Sequence, residues 1–312
     1  FFKKVGMIPI VIALFEALIA VFFVGIALIL TGNDVAFSII LGAIAAATAP
    51  ASTVMVIKQY RARGPVTDML MSVVALDDAI ALIGFAIATA LAKSLSGNGS
   101  VHVLSSILLS CIEIGAELLI GILFGLLMCI LMKYFRKNSN RLVISVATIF
   151  IASAVCTTFN LSALLTCMMC GMTVCNLSDS GNEIVSLLDT ATPPIYVLFF
   201  VISGACLNIN LIPQIGIVGL IYIITRVVGK LTGAAVGARL MKVDDNIRKY
   251  LGPTLIPQAG VAIGLTVIAQ STIPQYASQV RTIVLCATMI YEIFGPIIAK
   301  MALKRAGEIE LS

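Results

Sequence analysis

Two adjacent carboxylates, Asp77 and Asp78, stand in the middle of an apolar run from about Val66 to Ala92. Such a run can cross a bilayer, which needs about 20 apolar residues. One charge at the bilayer centre costs about 2.5–3.5 kcal/mol on insertion scales, so two side by side point to an ion or proton path rather than to packing. Other ionisable side chains sit inside apolar runs as well: Glu16, Glu113, Glu117, Arg226, Lys230 and Glu292. Lys230 falls near mid-membrane and needs a counter-charge, for which the aspartate pair is the best candidate. Neighbouring helical residues point about 100° apart, so one aspartate can meet Lys230 while the other faces elsewhere. A carboxylate withdrawn from water and joined by hydroxyl and carbonyl oxygens can hold a hard cation or a proton. Competition between the two is the chemistry of antiport.

The composition requires a membrane setting. The chain has 312 residues, 60% of them apolar and 11% charged, against about 25% charged in a soluble domain. Its basic residues cluster between apolar runs, so the net charge of +5 speaks for membrane topology and not for nucleic acid. The eight cysteines all lie in apolar runs, including Cys167-x-x-Cys170, and the single histidine, His102, has no metal-ligating neighbours in sequence. These read as structural, with no cofactor implied.

The apolar runs are roughly 5–30, 35–57, 66–92, 101–132, 141–159, 161–176, 184–206, 212–239, 248–271 and 276–300, an all-α polytopic protein of about ten spans. The break at Asn160 divides the fifth run from the sixth. With the N-terminus cytoplasmic, Lys3, Lys4, Lys58, Arg61, Arg63, Lys133, Arg136, Lys137, Arg141, Arg239, Lys242, Arg248, Lys249, Lys300, Lys304 and Arg305 all fall inside. Lys93 and Arg281 fall outside. The segregation supports an even number of spans with both ends inside.

Prolines mark two of these runs. The second contains Thr48-Ala-Pro50 and the ninth Pro253-Thr-Leu-Ile-Pro257-Gln258. Proline frees backbone carbonyls in a spanning helix, and matched interrupted segments in two halves of a transporter point to its binding site. Runs one to three and eight to ten form two such triplets of opposite topology, an inverted repeat with the discontinuous helix in the middle. The third member carries Asp77 and Asp78 in one triplet and Glu292 in the other. Completing the repeat calls for about two further helices before Phe1. At the crossing, a carboxylate, the Thr48 hydroxyl and freed carbonyls would form an all-oxygen site. Gly229, Gly233 and Gly237 form a ridge for close helix approach. Glu16 reads as a structural ion pair, with Arg226 among its candidate partners, and Gln258 as a cap on the ninth run's break.

Several stretches resemble the monovalent cation:proton antiporter-2 family in consecutive order: Ala47-Thr48-Ala-Pro50-Ala-Ser-Thr, Arg63-Gly-Pro-Val-Thr-Asp68, Val74-Ala-Leu-Asp77-Asp78-Ala, Arg226-Val-Val-Gly-Lys230 and Tyr291-Glu292-Ile-Phe-Gly-Pro296. The resemblance runs from Phe1 to about Gly307. It implies the sodium/proton antiporter fold, with two discontinuous helices crossing near Pro50 and Pro257. It further implies a core ion-transport domain (residues 1–93 and 207–307), a linker and dimerisation domain (94–206), and a homodimer in the lipid bilayer of a prokaryotic cell membrane. By the same resemblance Asp78 binds the cation, with Thr48 beside it. Asp77 pairs with Lys230, an arrangement associated with electrogenic exchange of two protons for one sodium ion, and Glu292 lies near the aspartates. Relatives often carry an acid directly after the threonine, where this chain has Ala49.

The expected function is exchange of Na+ or Li+ for H+ by alternating access, with no enzymatic activity. A K+/H+ antiporter and a sodium-coupled symporter of the same architecture are the alternatives within transport. An intramembrane aspartyl protease needs aspartates converging from different helices, which adjacent residues do not supply.

Overall fold

A computed structural model describes residues 6–96, 103–159, 161, 163–205 and 216–309. Lys3, Lys4, His102 and Asn160 lie outside the described residues, which form helices and turns without strands. In chain order the helices are α1 (Ile8–Leu30), α2 (Val35–Ala46), α3 (Pro50–Tyr60), α4 (Pro65–Ser96), α5 (Val103–Tyr134), α6 (Asn138–Thr158), α7 (Ala163–Leu177), α8 (Gly181–Ala205), α9 (Gly216–Leu240), α10 (Asp245–Thr254), α11 (Gly260–Thr272) and α12 (Ala277–Arg305). Among the described residues each apolar run of the sequence is helical, and the second and ninth are each split into two half-helices, α2/α3 and α10/α11. Helices α1, α4, α5, α6, α9 and α12 are each long and apolar enough to cross a membrane. On α1, Leu14, Leu18, Phe22 and Ile26 face outward while Ile12, Glu16, Ala20 and Val24 are buried. That arrangement, apolar outside and charge inside, suits a hydrocarbon solvent.

The chain divides into two compact units, one of Phe1–Ser106 with Leu207–Ser312 and one of Ile107–Cys206. The first unit holds two copies of one pattern: a long helix, a turn, a half-helix, a break, a second half-helix and another long helix. The matching extends to the caps. The turns after α1 and α9 contain the left-handed residues Gly32 (φ 82) and Lys242 (φ 53). Asp34 then caps α2 by accepting from Phe37 N at 3.1 Å, and Asp244 caps α10 by accepting from Asn246 N at 2.9 Å.

The breaks follow from local backbone chemistry. Ala49, which precedes a proline, is extended (φ −99, ψ 102), and Pro50 opens α3 at its first turn. In the second copy Pro253 lies within α10, and the chain leaves helix at Leu255 and resumes at Gly260. The start of α4 is fixed from the far end of the unit. Glu308 accepts from Val66 N at 2.6 Å, Thr67 N at 2.8 Å and Thr67 Oγ1 at 2.7 Å, satisfying donors that a helix start leaves free.

Helices α1 and α9 are in backbone contact along the glycine ridge. A Cβ on Gly229 would sit 2.6 Å from Ala20 Cα, one on Gly233 2.5 Å from Glu16 Cα, and one on Gly237 2.9 Å from Ile12 Cα. Gly233→Ala is therefore expected to part the helices. The overpacking costs about 1–3 kcal/mol, more than the helix propensity that alanine gains, and reads out as a lower melting temperature of the purified protein.

In the second unit, Met128, Cys129, Met132, Cys170, Val174 and Ile184 pack as one cluster. Arg141 of α6 donates to Glu183 and to Ser180 Oγ at the start of α8. Cys167 lies beside Ser153, and Cys156 beside Thr166 at 3.2 Å, so the Cys-x-x-Cys of α7 is embedded in helix packing.

Candidate functional site

The two breaks cross. Ala49 N donates to Pro257 O at 2.8 Å, a backbone bond between halves of the repeat. Breaking two buried helices strips their last carbonyls of helical donors, and in a membrane water does not replace them. The missing donors come chiefly from α9, whose Tyr222, Arg226 and Lys230 recur every fourth residue along one face and are all fully buried.

Arg226 spends its guanidinium on backbone. Its Nε donates to Ala45 O at 3.0 Å, one terminal nitrogen to Ala47 O and the other to Ile256 O, both at 2.7 Å. It thus closes the C-terminal ends of both α2 and α10, where the helix dipole is negative. The Tyr291 ring of α12 lies 4.6 Å from the guanidinium carbon, and its hydroxyl donates to Ile223 O. Tyr222 OH donates to Gln258 Oε1 at 3.2 Å, and Gln258 Nε2 donates to Ile44 O at 2.9 Å. Gln258 therefore sits at the crossing as expected, but it caps the break in α2/α3 across from its own.

Lys230 lies one turn further along. Its Nζ donates to Ala46 O, to Thr48 Oγ1 at 2.8 Å and to Asp77 Oδ2 at 3.3 Å. A fourth neighbour is closer than the aspartate: Glu16 Oε2 lies 2.7 Å from the ammonium. All three charged side chains are buried, the lysine and Glu16 completely. Asp78 is half-buried and has no ion pair among the described residues. Its Oδ1, like Asp77 Oδ1, is buried without a hydrogen-bond partner.

The geometry sorts the residues singled out in the sequence. Asp77, Thr48 and Lys230 meet directly, and Asp78 adjoins them on α4. Glu292 is half-buried and meets Ser52 Oγ at 3.4 Å near the start of α3; it is not among the partners of Lys230. Pro50 opens α3, and Pro257 lies in the second break with its carbonyl in the crossing bond. Carbonyls 44 to 47 and that of Ile256 each already accept a bond from Gln258, Arg226 or Lys230. Arg226 is a backbone clamp and has no acidic partner among the described residues. Glu16 belongs to the lysine. Tyr222 escaped the sequence reading and Tyr291 stood there only as part of a motif without a role, although the spacing of Tyr222, Arg226 and Lys230 on one helix face was open to it.

Comparison with known proteins agrees with this architecture. The profile of the sodium/hydrogen exchanger transmembrane family matches residues 1–305. A search of curated protein sequences gives no match. Among solved structures, the fold resembles the sodium proton antiporter MjNhaP1 from Methanocaldococcus jannaschii. The pH 8 structure of that protein superimposes with a TM-score of 0.72 at 16% identity, over 96% of this chain and 80% of that one. Its electron-microscopy structure gives 0.75 at 17% identity, over 99% and 80%. With a family match along nearly its whole length, paired broken helices and charges at their crossing, the chain belongs to the transmembrane sodium/hydrogen exchangers, multi-pass membrane proteins that exchange a cation for protons.

Proposed function

We propose that the cation exchanged is Na+, with Li+ as a second substrate, and that exchange is electrogenic and proceeds by alternating access. The observation that carries this reading is the charge imbalance at the crossing. One lysine faces both Asp77 and Glu16, Arg226 is committed to carbonyls, and Asp78 beside them forms no ion pair among the described residues. A carboxylate in that position is stable only when a proton or a metal cation is bound to it. Asp78 takes the role of cation and proton ligand, with the Thr48 side of the crossing next to it. Asp77 shares Lys230 and is free to join the site when the lysine releases it. Glu292 supplies a further polar group at the start of α3. Residues 1–93 and 207–307 form the ion-carrying body and 94–206 the scaffold through which two copies pair, in a prokaryotic plasma membrane.

The test is transport by the full-length protein in liposomes carrying an imposed pH gradient. Adding Na+ or Li+ is expected to release protons, with K+ much less effective, and the rate is expected to follow an imposed membrane potential. A faster response to K+ would make the protein a potassium/proton exchanger, and a rate indifferent to voltage would rule out electrogenic exchange.

A further inference from the structure

Lys230 has more partners than donors. An ammonium offers three N–H groups, and here they go to Ala46 O, Thr48 Oγ1 and Asp77 Oδ2. Glu16 Oε2 stands 2.7 Å away as a further ion-pair partner, nearer than Asp77 at 3.3 Å. Two of the three donors are held by the edge of the α2 break. The third is contested between two carboxylates on different helices, Asp77 on α4 and Glu16 on α1. Glu16 cannot withdraw from this contest. It is fully buried, and its backbone is held at the level of Lys230 by the α1–α9 contact at Gly233. Among the described residues it has no other cationic partner: Arg226, the other basic residue buried on α9, is committed to three carbonyls.

We propose that Glu16 is a positioning residue for exchange, a standing second partner that keeps Lys230 paired when Asp77 turns to the cation. A buried lysine that lost its sole partner would be strongly destabilised. With Glu16 in place, releasing Asp77 trades one ion pair for another. The sharing of Lys230 between α1 and α4 makes Asp77 a switchable group, where a single Lys230–Asp77 pair would be a fixed one. The role in exchange rests on the cation/proton site described above; the sharing itself does not.

Two measurements test it. In the purified full chain, Glu16→Gln and Asp77→Asn each leave Lys230 one carboxylate, whereas the double variant leaves none. The double variant is expected to melt roughly 2–4 °C below the sum of the two single effects. Losses that simply add would overturn the sharing. In proteoliposomes, Glu16→Gln is expected to raise the Na+ concentration for half-maximal flux about tenfold, because Asp77 becomes the lysine's last partner. Glu16→Asp, which keeps the charge, is expected to bring it back to within about threefold. A Na+ dependence unchanged in Glu16→Gln would make Glu16 a structural residue only. A wild type without cation-driven proton flux would instead overturn the exchanger reading and Glu16's part in it, while the thermal cycle would still report whether Lys230 is shared.

Discussion

Asp78→Asn is expected to lower Na+-driven proton flux at least about a hundredfold and to leave the protein as stable as the wild type or more so. Asparagine has the shape of aspartate but holds neither a proton nor, with its neutral oxygen, a hard cation at useful affinity. Loss of a ligand that must bind both substrates removes the competition on which exchange depends. Stability moves the other way because Asp78 is a half-buried carboxylate in a membrane helix without an ion pair among the described residues, and its Oδ1 receives no hydrogen bond. On insertion scales such a charge costs about 2.5–3.5 kcal/mol; partial exposure reduces that, but the sign holds. A residue that costs stability while it serves transport is a functional one. The measurements are proton flux in liposomes and the melting temperature in detergent. Flux equal to wild type would move the cation site away from Asp78.

How much of this was legible in the sequence depends on what sets each feature. The helices were, because unbroken apolar runs in a membrane have one backbone solution. The two breaks were also legible, though not from proline alone. Pro193 and Pro194 lie inside α8, Pro253 inside α10 and Pro296 inside α12, so a proline by itself does not break a helix. What sets the breaks at Pro50 and Pro257 apart is the supply of donors for the carbonyls there, and those donors come chiefly from α9, far away in sequence. That Lys230 meets one of the two aspartates followed from the repeat, which brings the third helix of one triplet to the first helix of the other; that the partner is Asp77 was implied only by the family resemblance. The nearer partner, Glu16, followed from neither. Its position depends on how closely α1 and α9 approach, which the glycines permit but do not measure. Arg226 was harder still: a buried arginine reads as half of an ion pair, and nothing local announces that three backbone oxygens will take its place.

That clamp predicts the largest loss of stability. Arg226→Met keeps an unbranched, flexible side chain but removes all three donors, and is expected to cost about 3–5 kcal/mol, a fall in melting temperature of roughly 5–8 °C. The cost is not that of three ordinary hydrogen bonds. Ala45 O, Ala47 O and Ile256 O lie at the ends of two half-helices, in a place where water does not substitute, so each would be left without a donor against a negative helix end. Arg226→Lys should fall between wild type and methionine. It keeps the charge, but an ammonium on a shorter arm cannot span carbonyls from both breaks as a planar guanidinium does. The order Arg, Lys, Met distinguishes a geometric clamp from a charge that merely balances Asp77, Asp78 and Glu16, since a balancing charge would leave lysine close to wild type. Committed to three carbonyls from the two breaks, the guanidinium holds the crossing closed. A methionine variant melting within about 2 °C of wild type would mean that the breaks are held by their own packing, and that Arg226 is present for charge alone.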